Sequence, residues 1–346
     1  HRRRHSFPTR RSSDLSTLCL CMLSVCGVSQ LNAQQLSFKP DGTFKIVQFT
    51  DLHYSVEKET VSAAALECIN KVLDLEKPDL VVFTGDLVYS KPAKEGLTRV
   101  LRPVVDRKLP FAVVWGNHDD EQDLSRAVLQ SVVEQMPGCL GKKTDGIPGE
   151  SNYILTIQPN SGNQASAVLY FMDSHAYSAL PQVKGYDWIK PAQIQWYIDA
   201  SKRFTDANEG KPLPALAFFH IPLPEYNQAA SSENSHLVGY RFEKPCAPEL
   251  NTGLFTAMLT AGDVMGVFVG HDHDNDFVAD WKGIALGYGR FSGGNTEYNN
   301  LPEGNGARVI VLKENTRDFT SWIRLRSGEI MQNIQLSKLI KPVKKD

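Results

Sequence analysis

Apolar runs typical of β-strands alternate with amphipathic helical patterns in the first part of this chain. The strand-like runs span 44–50, 79–84 and 111–115. Helices with one apolar face are predicted near 60–77, 94–107 and 122–135. Parallel neighbouring strands need a crossover connection, and a helix commonly provides it. The alternation therefore predicts an α/β fold with mainly parallel strands in its first half.

The second part of the chain continues the alternation and adds antiparallel signals. Apolar runs predict further strands at 167–172, 213–219 and 264–269. Runs typical of antiparallel finishing strands lie at 277–286, 307–312 and 319–325. No internal repeat, low-complexity tract or linker rich in Pro, Gly and Ser divides the sequence. We therefore expect one mixed α/β domain over residues 34–346.

Two polar segments between these runs are predicted to be loops. Residues 159–164 fit a hairpin tip, and residues 222–251 form a long insertion after the strand that leads to His220. Loops of that length are uncommon in a compact domain and often functional. Four of its side chains either close over a substrate or are simply solvated, namely His236, Tyr240, Arg241 and Lys244. The Lys-rich end after Leu336 is predicted to be solvated.

The first 33 residues are predicted to lie outside the folded domain. Residues 1–15 resemble the translation of a common sequencing-library adapter, and we interpret them as an assembly artefact rather than a basic leader. The uncharged apolar run that follows is too short to span a bilayer and suits a signal peptide. We therefore predict a signal peptide over residues 16–33, with cleavage after Ala33, and a periplasmic or secreted protein. A lipid anchor on Cys26 is a minor alternative.

Charge and cysteine content limit the classes of partner. Without the five Arg and one Asp of residues 1–33, the totals of 37 basic and 39 acidic residues become 32 and 38, a net charge of −6. This acidic balance argues against a nucleic-acid groove. Three cysteines remain, so at most one disulfide is expected, and Cys68 is predicted to lie in the core. No later run is long enough for a transmembrane helix.

Short polar motifs follow the predicted strands where each strand ends. They are Asp51 to His53, Gly85 with Asp86, Gly116 to Asp119, His220, and Gly270 to His273. Five of the nine histidines fall in these motifs, and two of the others lie in the first 33 residues. Loops at the carboxyl ends of strands converge on one crevice in open α/β sheets. We therefore expect these side chains to meet in space.

The chemistry of the motifs indicates a metal site. Carboxylate, imidazole and amide groups suit Zn, Fe, Mn or Ni rather than thiol-loving ions. Five to seven such ligands exceed the needs of one zinc ion, whereas two ions about 3.5–4 Å apart require a bridging carboxylate and further ligands for each. Each motif alone has a structural explanation such as a turn, but their joint order favours a dinuclear site.

The pattern D-x-H, G-D, G-N-H-D, H and G-H-x-H resembles that of the calcineurin-like metallophosphoesterases. It covers residues 51–273, and the segments 218–224 and 270–277 are similar to the exported, purple-acid-phosphatase-like branch of that family. The resemblance implies a β-sandwich of two mixed sheets flanked by helices. It also implies a dinuclear metal site at the carboxyl edge of the strands.

The resemblance also implies a role for each motif residue. One ion would be held by Asp51, His53 and His273, the other by Asn117, His220 and His271, and both by Asp86. Two cations lower the pKa of a shared water, and the resulting hydroxide would attack phosphorus in line. His118 would assist the leaving oxygen as a general acid or through its charge. The expected substrates are small phosphomonoesters. A phosphodiesterase, a nucleotide hydrolase and a non-catalytic metal- or phosphate-binding protein are the alternatives.

Two departures from the family pattern leave residues without a defined role. Several relatives orient the histidine equivalent to His118 with an aspartate shortly after the bridging one, which this chain lacks, so Asp119 and Asp120 are the local candidates. Purple acid phosphatases place an iron-binding tyrosinate where Tyr89 stands, but they lack the histidine that this chain retains as His53. We therefore predict His53 as the ligand and Tyr89 as a neighbour of the ligands.

Other residues near the motifs are weaker candidates. The alternating Asp272, Asp274 and Asp276 do not form a calcium loop of the EF-hand type, because Phe277 replaces the required glycine. Substrate contacts are predicted for Asn117 and His118. A phosphate contact by Arg290, in a glycine-rich stretch, is as plausible as a flexible hairpin there.

Overall fold

The structure is a computed structural model, and it describes residues 35–232 and 235–340. The apolar runs of the sequence form its strands and helices. The strands are β1 (Leu36–Ser37), β2 (Thr43–Phe49), β3 (Leu80–Thr84), β4 (Phe111–Val114), β5 (Tyr153–Gln158), β6 (Ala167–Phe171), β7 (Ala215–Phe218), β8 (Leu237–Val238), β9 (Val264–Val269), β10 (Val278–Trp281), β11 (Ile284–Tyr288), β12 (Gly306–Lys313), β13 (Phe319–Leu325) and β14 (Ile330–Gln335). The helices are α1 (Glu59–Glu76), α2 (Ala93–Asp106), α3 (Arg126–Glu134), α4 (Pro191–Ala207), α5 (Glu225–Ser231), α6 (Leu254–Ala261) and α7 (Leu336–Leu339). The predicted adapter remnant and signal peptide lie outside the described residues.

A six-stranded sheet contains the first part of the chain, in the order β14-β13-β12-β2-β3-β4. Strands β2, β3 and β4 are parallel, with α1 and α2 as their crossover connections. Strands β12, β13 and β14 complete the sheet in antiparallel pairs. The parallel first half and the finishing strands at 307–312 and 319–325 are thus confirmed.

An eight-stranded sheet contains the later strands, in the order β1-β5-β6-β7-β9-β11-β10-β8. Its centre is parallel from β6 through β7 and β9 to β11. Residues 277–286 were predicted to form one finishing strand, and this prediction is wrong in detail because the segment contains two strands. Lys282 and Gly283 have positive φ angles of 55° and 88° and turn the chain between β10 and β11, which pair as a hairpin.

The two sheets pack face to face, and helices cover their outer faces. Strand β3 illustrates this layering. All five of its residues are buried, and they alternate between two environments. Leu80 and Val82 belong to the core between the sheets, whereas Val81 and Phe83 pack in the layer that holds α1 and α2. A third apolar cluster joins the eight-stranded sheet to α4, α5 and α6. This arrangement is the predicted sandwich of two mixed sheets flanked by helices.

Three further predictions can be compared with the structure, namely the burial of Cys68 and the two predicted loops. Cys68 lies on the buried face of α1, as predicted. Residues 159–164 form the tip of the antiparallel β5–β6 hairpin, also as predicted. The insertion at 222–251 is more ordered than a loop, since it contains α5 and β8.

The chain after Leu336 was predicted to be solvated, and this is wrong for its first turn. Leu336 and Leu339 of α7 are buried, because they belong to the core between the sheets. Residues 341–346 lie outside the described part of the chain. Among the described residues, no helix is both long enough and apolar enough to cross a membrane.

Candidate metal centre

Strands of both sheets end next to one another at the candidate site. The motif loops are joined by backbone contacts: the Asp51 N–H donates to the Gly85 carbonyl at 3.1 Å, and the Gly270 N–H donates to the His220 carbonyl at 3.1 Å. The His271 N–H donates to the Asp51 carboxylate at 3.0 Å, which links the two sheets. The predicted convergence of the strand-end motifs is therefore what the fold produces.

Asp51, His53 and His273 form one group of candidate ligands. Their ligand atoms all lie within 4.8 Å of one another, and all three side chains are buried. The Nε2 atoms of His53 and His273 face each other at 3.1 Å. The His273 Nδ1–H donates to the Tyr298 carbonyl at 2.9 Å, which leaves the His273 Nε2 lone pair directed at the group.

Asp86, His220 and His271 form the second group, with ligand atoms also within 4.8 Å of one another. The His220 Nδ1–H donates to the Thr84 carbonyl at 2.7 Å, so His220 Nε2 is free as a ligand atom. That nitrogen lies 3.2 Å from Asp86 Oδ2 and 3.3 Å from His271 Nδ1. Nitrogen and oxygen atoms that can ligate a metal are thus crowded around one point, which fits a cation.

Asp86 lies between the two groups. Its Oδ2 atom is 3.2 Å from Nε2 of His220 in one group and 3.6 Å from Nε2 of His53 in the other. The other oxygen, Oδ1, accepts the His118 backbone N–H at 2.9 Å. The carboxylate is therefore fixed with one oxygen facing both groups.

Three buried polar atoms at the site have no hydrogen-bond partner among the described residues. They are Asn117 Oδ1, His53 Nδ1 and His271 Nε2. An unpaired buried polar atom costs about 1–3 kcal/mol, so native structures rarely leave several together. The Asn117 side-chain nitrogen donates to the Tyr177 hydroxyl at 3.2 Å, which leaves the buried amide oxygen free to be a metal ligand. The donor set as a whole fits a dinuclear centre of divalent cations.

Burial and charge together set the ionisation of the centre. Burial lowers the pKa of His53 to about 3, and burial with nearby His220 lowers that of His271 well below its ordinary value. Burial opposes the charge of His220 too, but Asp86 outweighs it and raises the pKa of His220 to about 9. The pKa of Asp86 falls well below its ordinary value, because His220 and His53 outweigh burial. Asp86 is therefore ionised and His53 and His271 are neutral, and a cation would replace the proton that Asp86 favours on His220.

Asp119 shapes the loop that carries Asp86. It is fully buried, and its two oxygens accept the backbone N–H groups of Asp86, Leu87, Val88 and Gly116 at 2.7–3.2 Å. These bonds stabilise the left-handed backbone of Asp86, whose φ is 52°. Asp119 thus acts on the backbone of Asp86 rather than on the ring of His118.

His118 lies beside the two groups without belonging to either. Its ring centroid is 5.5 Å from that of His53, and its side chain is 36% exposed. Its Nδ1 contacts Glu121 Oε2 at 2.7 Å, so the local guesses of Asp119 or Asp120 as its partner are wrong. Asp120 instead pairs with Arg126 at 3.2 Å. Burial lowers the pKa of His118, but Asp86 and Glu121 outweigh it, and the net shift is upward.

Comparison with known proteins agrees with this geometry. Residues 44–275, about two thirds of the chain, match the family described as calcineurin-like phosphoesterases. The chain belongs to this family.

Relatives within the family cover most of the chain. The chain is 33% identical to "Probable inactive purple acid phosphatase 29" of Arabidopsis thaliana, over 90% of this chain and 87% of that protein. It is 36% identical to "Phosphatase DCR2" of Saccharomyces cerevisiae, over 86% of this chain and 56% of that protein. A dimetal phosphatase from Danio rerio has the same fold, with a TM-score of 0.58 and 14% identity over 85% of this chain and 98% of that one. As a family member, the chain is a metallophosphoesterase, a hydrolase of phosphoric esters.

The calcineurin-like centre of this chain is bordered by three tyrosines, of which the motifs indicated Tyr89 but not Tyr186 or Tyr298. Tyr298 stacks on His273 with ring centroids 4.4 Å apart, and Tyr186 meets His271 edge-on at 4.3 Å. Tyr89 lies 6.1 Å from His118 by ring centroids and is 37% exposed.

The insertion at 222–251 reaches the centre through Glu243. Its carboxylate accepts the Tyr298 hydroxyl at 3.1 Å and the Asp274 backbone N–H at 2.7 Å, next to His273. No pattern in the sequence indicates Glu243, because the contact depends on where the insertion returns to the sheet. The four insertion side chains suggested from sequence make none of these bonds.

Arg290 is buried with its donors engaged inside the protein, which argues against the predicted phosphate contact. Its side chain is fully buried and pairs with Asp276, while its other donors bind the carbonyls of Pro302 and Gly304. The remaining aspartates of the 272–276 segment are also engaged. Asp272 accepts the Tyr288 hydroxyl at 2.6 Å, and Asp274 accepts the Asn300 side-chain amide at 2.7 Å.

Proposed function

We propose that the protein hydrolyses phosphomonoesters at this centre. The observation that carries the proposal is the single Asp86 oxygen lying 3.2 Å and 3.6 Å from imidazoles of the two ligand groups. One carboxylate oxygen shared between two groups is the arrangement that a pair of adjacent cations requires.

The proposed ligand sets follow the two groups and the free amide oxygen. Asp51, His53 and His273 would hold one ion, and Asn117, His220 and His271 the other, with Asp86 common to both. When bound, two such cations supply an activated water and neutralise charge on the phosphoryl oxygens. Zn, Fe, Mn and Ni all suit these donors.

His118 is proposed to donate a proton to the leaving oxygen. It is accessible, is adjacent to the ligand groups, and has Nδ1 engaged by Glu121, so Nε2 is the nitrogen that can reach the substrate. Asn117 and His118 would therefore be the residues nearest the phosphoryl group and the leaving group. Removing the imidazole is expected to lower turnover most for esters of poor leaving groups.

The preference for monoesters rests on the names of relatives and is tested directly. The yeast relative and the Danio rerio neighbour are both called phosphatases. We expect metal-loaded protein to hydrolyse p-nitrophenyl phosphate with kcat/KM at least about tenfold above bis(p-nitrophenyl) phosphate, equivalent to about 1.4 kcal/mol. The opposite order would indicate a phosphodiesterase or nucleotide hydrolase.

A non-catalytic protein that binds metal or phosphate is a second candidate because of one observation. The Arabidopsis relative is named as probably inactive, although it shares 33% of aligned residues with this chain. If protein containing two bound ions per chain turned over neither ester, this candidate would replace ours. The presence of His118 favours an enzyme, because a binding site needs no leaving-group acid.

Export through the apolar segment at 16–33 is proposed from sequence alone, with residues 34–346 as the mature metallophosphoesterase domain. The segment lies outside the described residues. Expression of the full chain in a bacterium, followed by periplasmic extraction and N-terminal sequencing, tests it. Retention of the protein in the cytoplasm with residues 16–33 uncleaved would contradict export.

A further inference from the structure

Glu121 contacts two different partners with its two carboxylate oxygens. Oε2 lies 2.7 Å from His118 Nδ1, and Oε1 accepts the Tyr177 hydroxyl at 3.1 Å. The same Tyr177 oxygen accepts the Asn117 side-chain N–H at 3.2 Å. A single carboxylate is thus connected to the candidate acid His118 and, through one tyrosine, to the candidate ligand Asn117.

The direction of each hydrogen bond in this network follows from the chemistry of its members. A carboxylate only accepts, so Tyr177 must donate its one proton to Glu121. The Tyr177 oxygen can then only accept from Asn117, which places the amide nitrogen toward Tyr177. The amide oxygen of Asn117 must face the other way, and it is buried without a hydrogen-bond partner among the described residues.

The same logic fixes the tautomer of His118. A hydrogen bond between an imidazole nitrogen and a carboxylate requires the proton to be on that nitrogen. With Nδ1 protonated toward Glu121, the second nitrogen, Nε2, is left for the substrate, and in the charged ring it carries the second proton, which the leaving oxygen would take. Glu121 follows His118 by three residues, and its backbone N–H donates to the His118 carbonyl at 3.3 Å, so a single turn brings the two side chains together.

The network also joins the two sheets of the molecule. Asn117, His118 and Glu121 follow β4 of the six-stranded sheet, whereas Tyr177 follows β6 of the eight-stranded sheet. Tyr177 is 48% exposed and stacks on Tyr186 with ring centroids 5.7 Å apart. The network therefore lies at the open side of the centre, where a substrate would enter.

We propose that Glu121 is a positioning residue that, with Tyr177, orients both His118 as leaving-group acid and Asn117 as metal ligand. The proposal rests on the function proposed above, in which His118 and Asn117 have these roles.

A double-mutant cycle tests the His118 branch. The variants are Glu121→Ala, His118→Ala and the double variant, assayed with p-nitrophenyl phosphate and with phenyl phosphate, whose leaving group is the poorer one. We expect Glu121→Ala to lower kcat on phenyl phosphate by about 10–100-fold. This loss is smaller than the loss of about 10²–10⁴-fold that is typical when a general acid is removed. The loss on p-nitrophenyl phosphate should be smaller. In the His118→Ala background, Glu121→Ala should cost less than about threefold, since its effect acts through His118.

Glu121→Gln serves as the conservative variant, and Glu67→Ala as the control. The Gln amide oxygen still accepts the His118 proton, so Glu121→Gln should recover part of the dependence on leaving group. Glu67 is an exposed carboxylate of α1 that pairs with Arg326 on the surface, so Glu67→Ala should match wild type. Equal losses on both esters, or equal losses with and without His118, would show a merely structural role and overturn the proposal.

Two readouts that do not depend on turnover complete the test. Nitrogen NMR of the imidazole rings should show Nδ1 of His118 protonated in both the charged and the neutral ring of wild type, and a shift of the neutral ring toward the Nε2–H tautomer in Glu121→Ala. Titration with Zn²⁺ against a chelator should show weaker binding of one of two ions in Tyr177→Phe, which removes the donor to Glu121 and loosens the Asn117 amide. An unchanged tautomer and unchanged Zn²⁺ affinity would overturn the proposal even if no ester were hydrolysed. Absence of any wild-type turnover would instead contradict the proposed function.

Discussion

Several residues of the metal centre have a backbone conformation that glycine usually adopts. Asp51, His53, Asp86 and His271 have φ angles of 55°, 41°, 52° and 82°. Such conformations are costly for residues with a side chain and persist where surrounding bonds impose them. The four N–H donors bound by Asp119 are the clearest example of such bonds. The geometry of the ligands is therefore maintained by neighbours that bind no metal.

Replacement of Asp119 tests that conclusion. Asn has one acceptor oxygen, and its NH₂ group would face backbone donors that Asp119 now satisfies. Asp119→Asn should lower the free energy of unfolding of the metal-free protein by about 2–4 kcal/mol, measured by urea denaturation, and should reduce bound metal measured by elemental analysis. Asp123→Asn is the control, since Asp123 accepts one backbone N–H, from Ala93. Equal unfolding midpoints for the two variants would contradict the role of Asp119.

The sequence motifs predicted the positions of the candidate ligands but not Glu121 as the partner of His118. The strand-end positions of Asp51, Asp86 and His220 followed from the sequence, because carboxyl ends of parallel strands converge. The partner of His118 did not, since Asp119, Asp120 and Glu121 all lie within one turn and only its shape selects among them. The burial of Arg290 could not be predicted from the sequence either, because its partner Asp276 belongs to a separate segment.

At the scale of elements, strands and helices with a strong apolar periodicity were predicted, whereas a helix that packs through polar residues was not. The prediction for β9 has the observed bounds, β3 differs by one residue at its first end, and β2 and α1 differ by one residue at each end. Helix α4 was not predicted, because its buried face includes the polar residues Gln193 and Ser201. Gln193 is fully buried and donates to Asn152 Oδ1 and to the Asp173 carbonyl, both at 2.7 Å. A buried polar residue of this kind weakens the apolar periodicity on which the prediction depends.

Glu76 connects α1 to the six-stranded sheet. Its carboxylate is buried and accepts from Lys45 of β2 at 3.0 Å, and from Trp322 and Arg324 of β13 at 3.0 Å and 2.6 Å. Burial alone would raise the pKa of Glu76, but these donors outweigh it and hold the pKa below the ordinary value of 4.5. The ionised carboxylate therefore stabilises the folded protein above about pH 4.5, and this contribution is lost as the pH falls through the lowered pKa.

Glu76→Gln is expected to destabilise the protein in a pH-dependent way. At pH 7 the variant should lose about 2–4 kcal/mol of unfolding free energy, because Lys45 and Arg324 lose their shared anion. Below pH 4 the difference from wild type should narrow, since the wild-type carboxyl becomes protonated as well. Urea denaturation from pH 3 to pH 7 measures it, with the exposed Glu67→Gln as control. A difference that stays constant over this range would contradict the assignment.

At the scale of the whole molecule, the metal centre lies where the two sheets meet. The six-stranded sheet supplies Asp51, His53, Asp86 and Asn117, and the eight-stranded sheet supplies His220, His271 and His273. Cations bound by both sets would stabilise the contact between the sheets. The family pattern predicted this sandwich, whereas composition and periodicity alone predicted only an α/β domain.

Metal binding should therefore stabilise the fold. A ligand that binds only the native state adds about 2.7 kcal/mol at a concentration 100 times its dissociation constant. We expect calorimetry to show a Tm several degrees higher with Zn²⁺ or Mn²⁺ than after chelation. Asp86→Asn should lose most of this increase, because Asp86 faces both groups. Equal Tm values for stripped and loaded wild-type protein would contradict a centre between the sheets.

The central claim is that two ions bound by this centre are required for hydrolysis of phosphate esters. The most direct measurement strips the protein with a chelator and returns metal in known molar amounts, while turnover of p-nitrophenyl phosphate and bound metal are followed together. We predict negligible turnover in stripped protein and full turnover only as bound metal approaches two ions per chain. Undiminished turnover without metal, or a maximum at one bound ion, would contradict the dinuclear account.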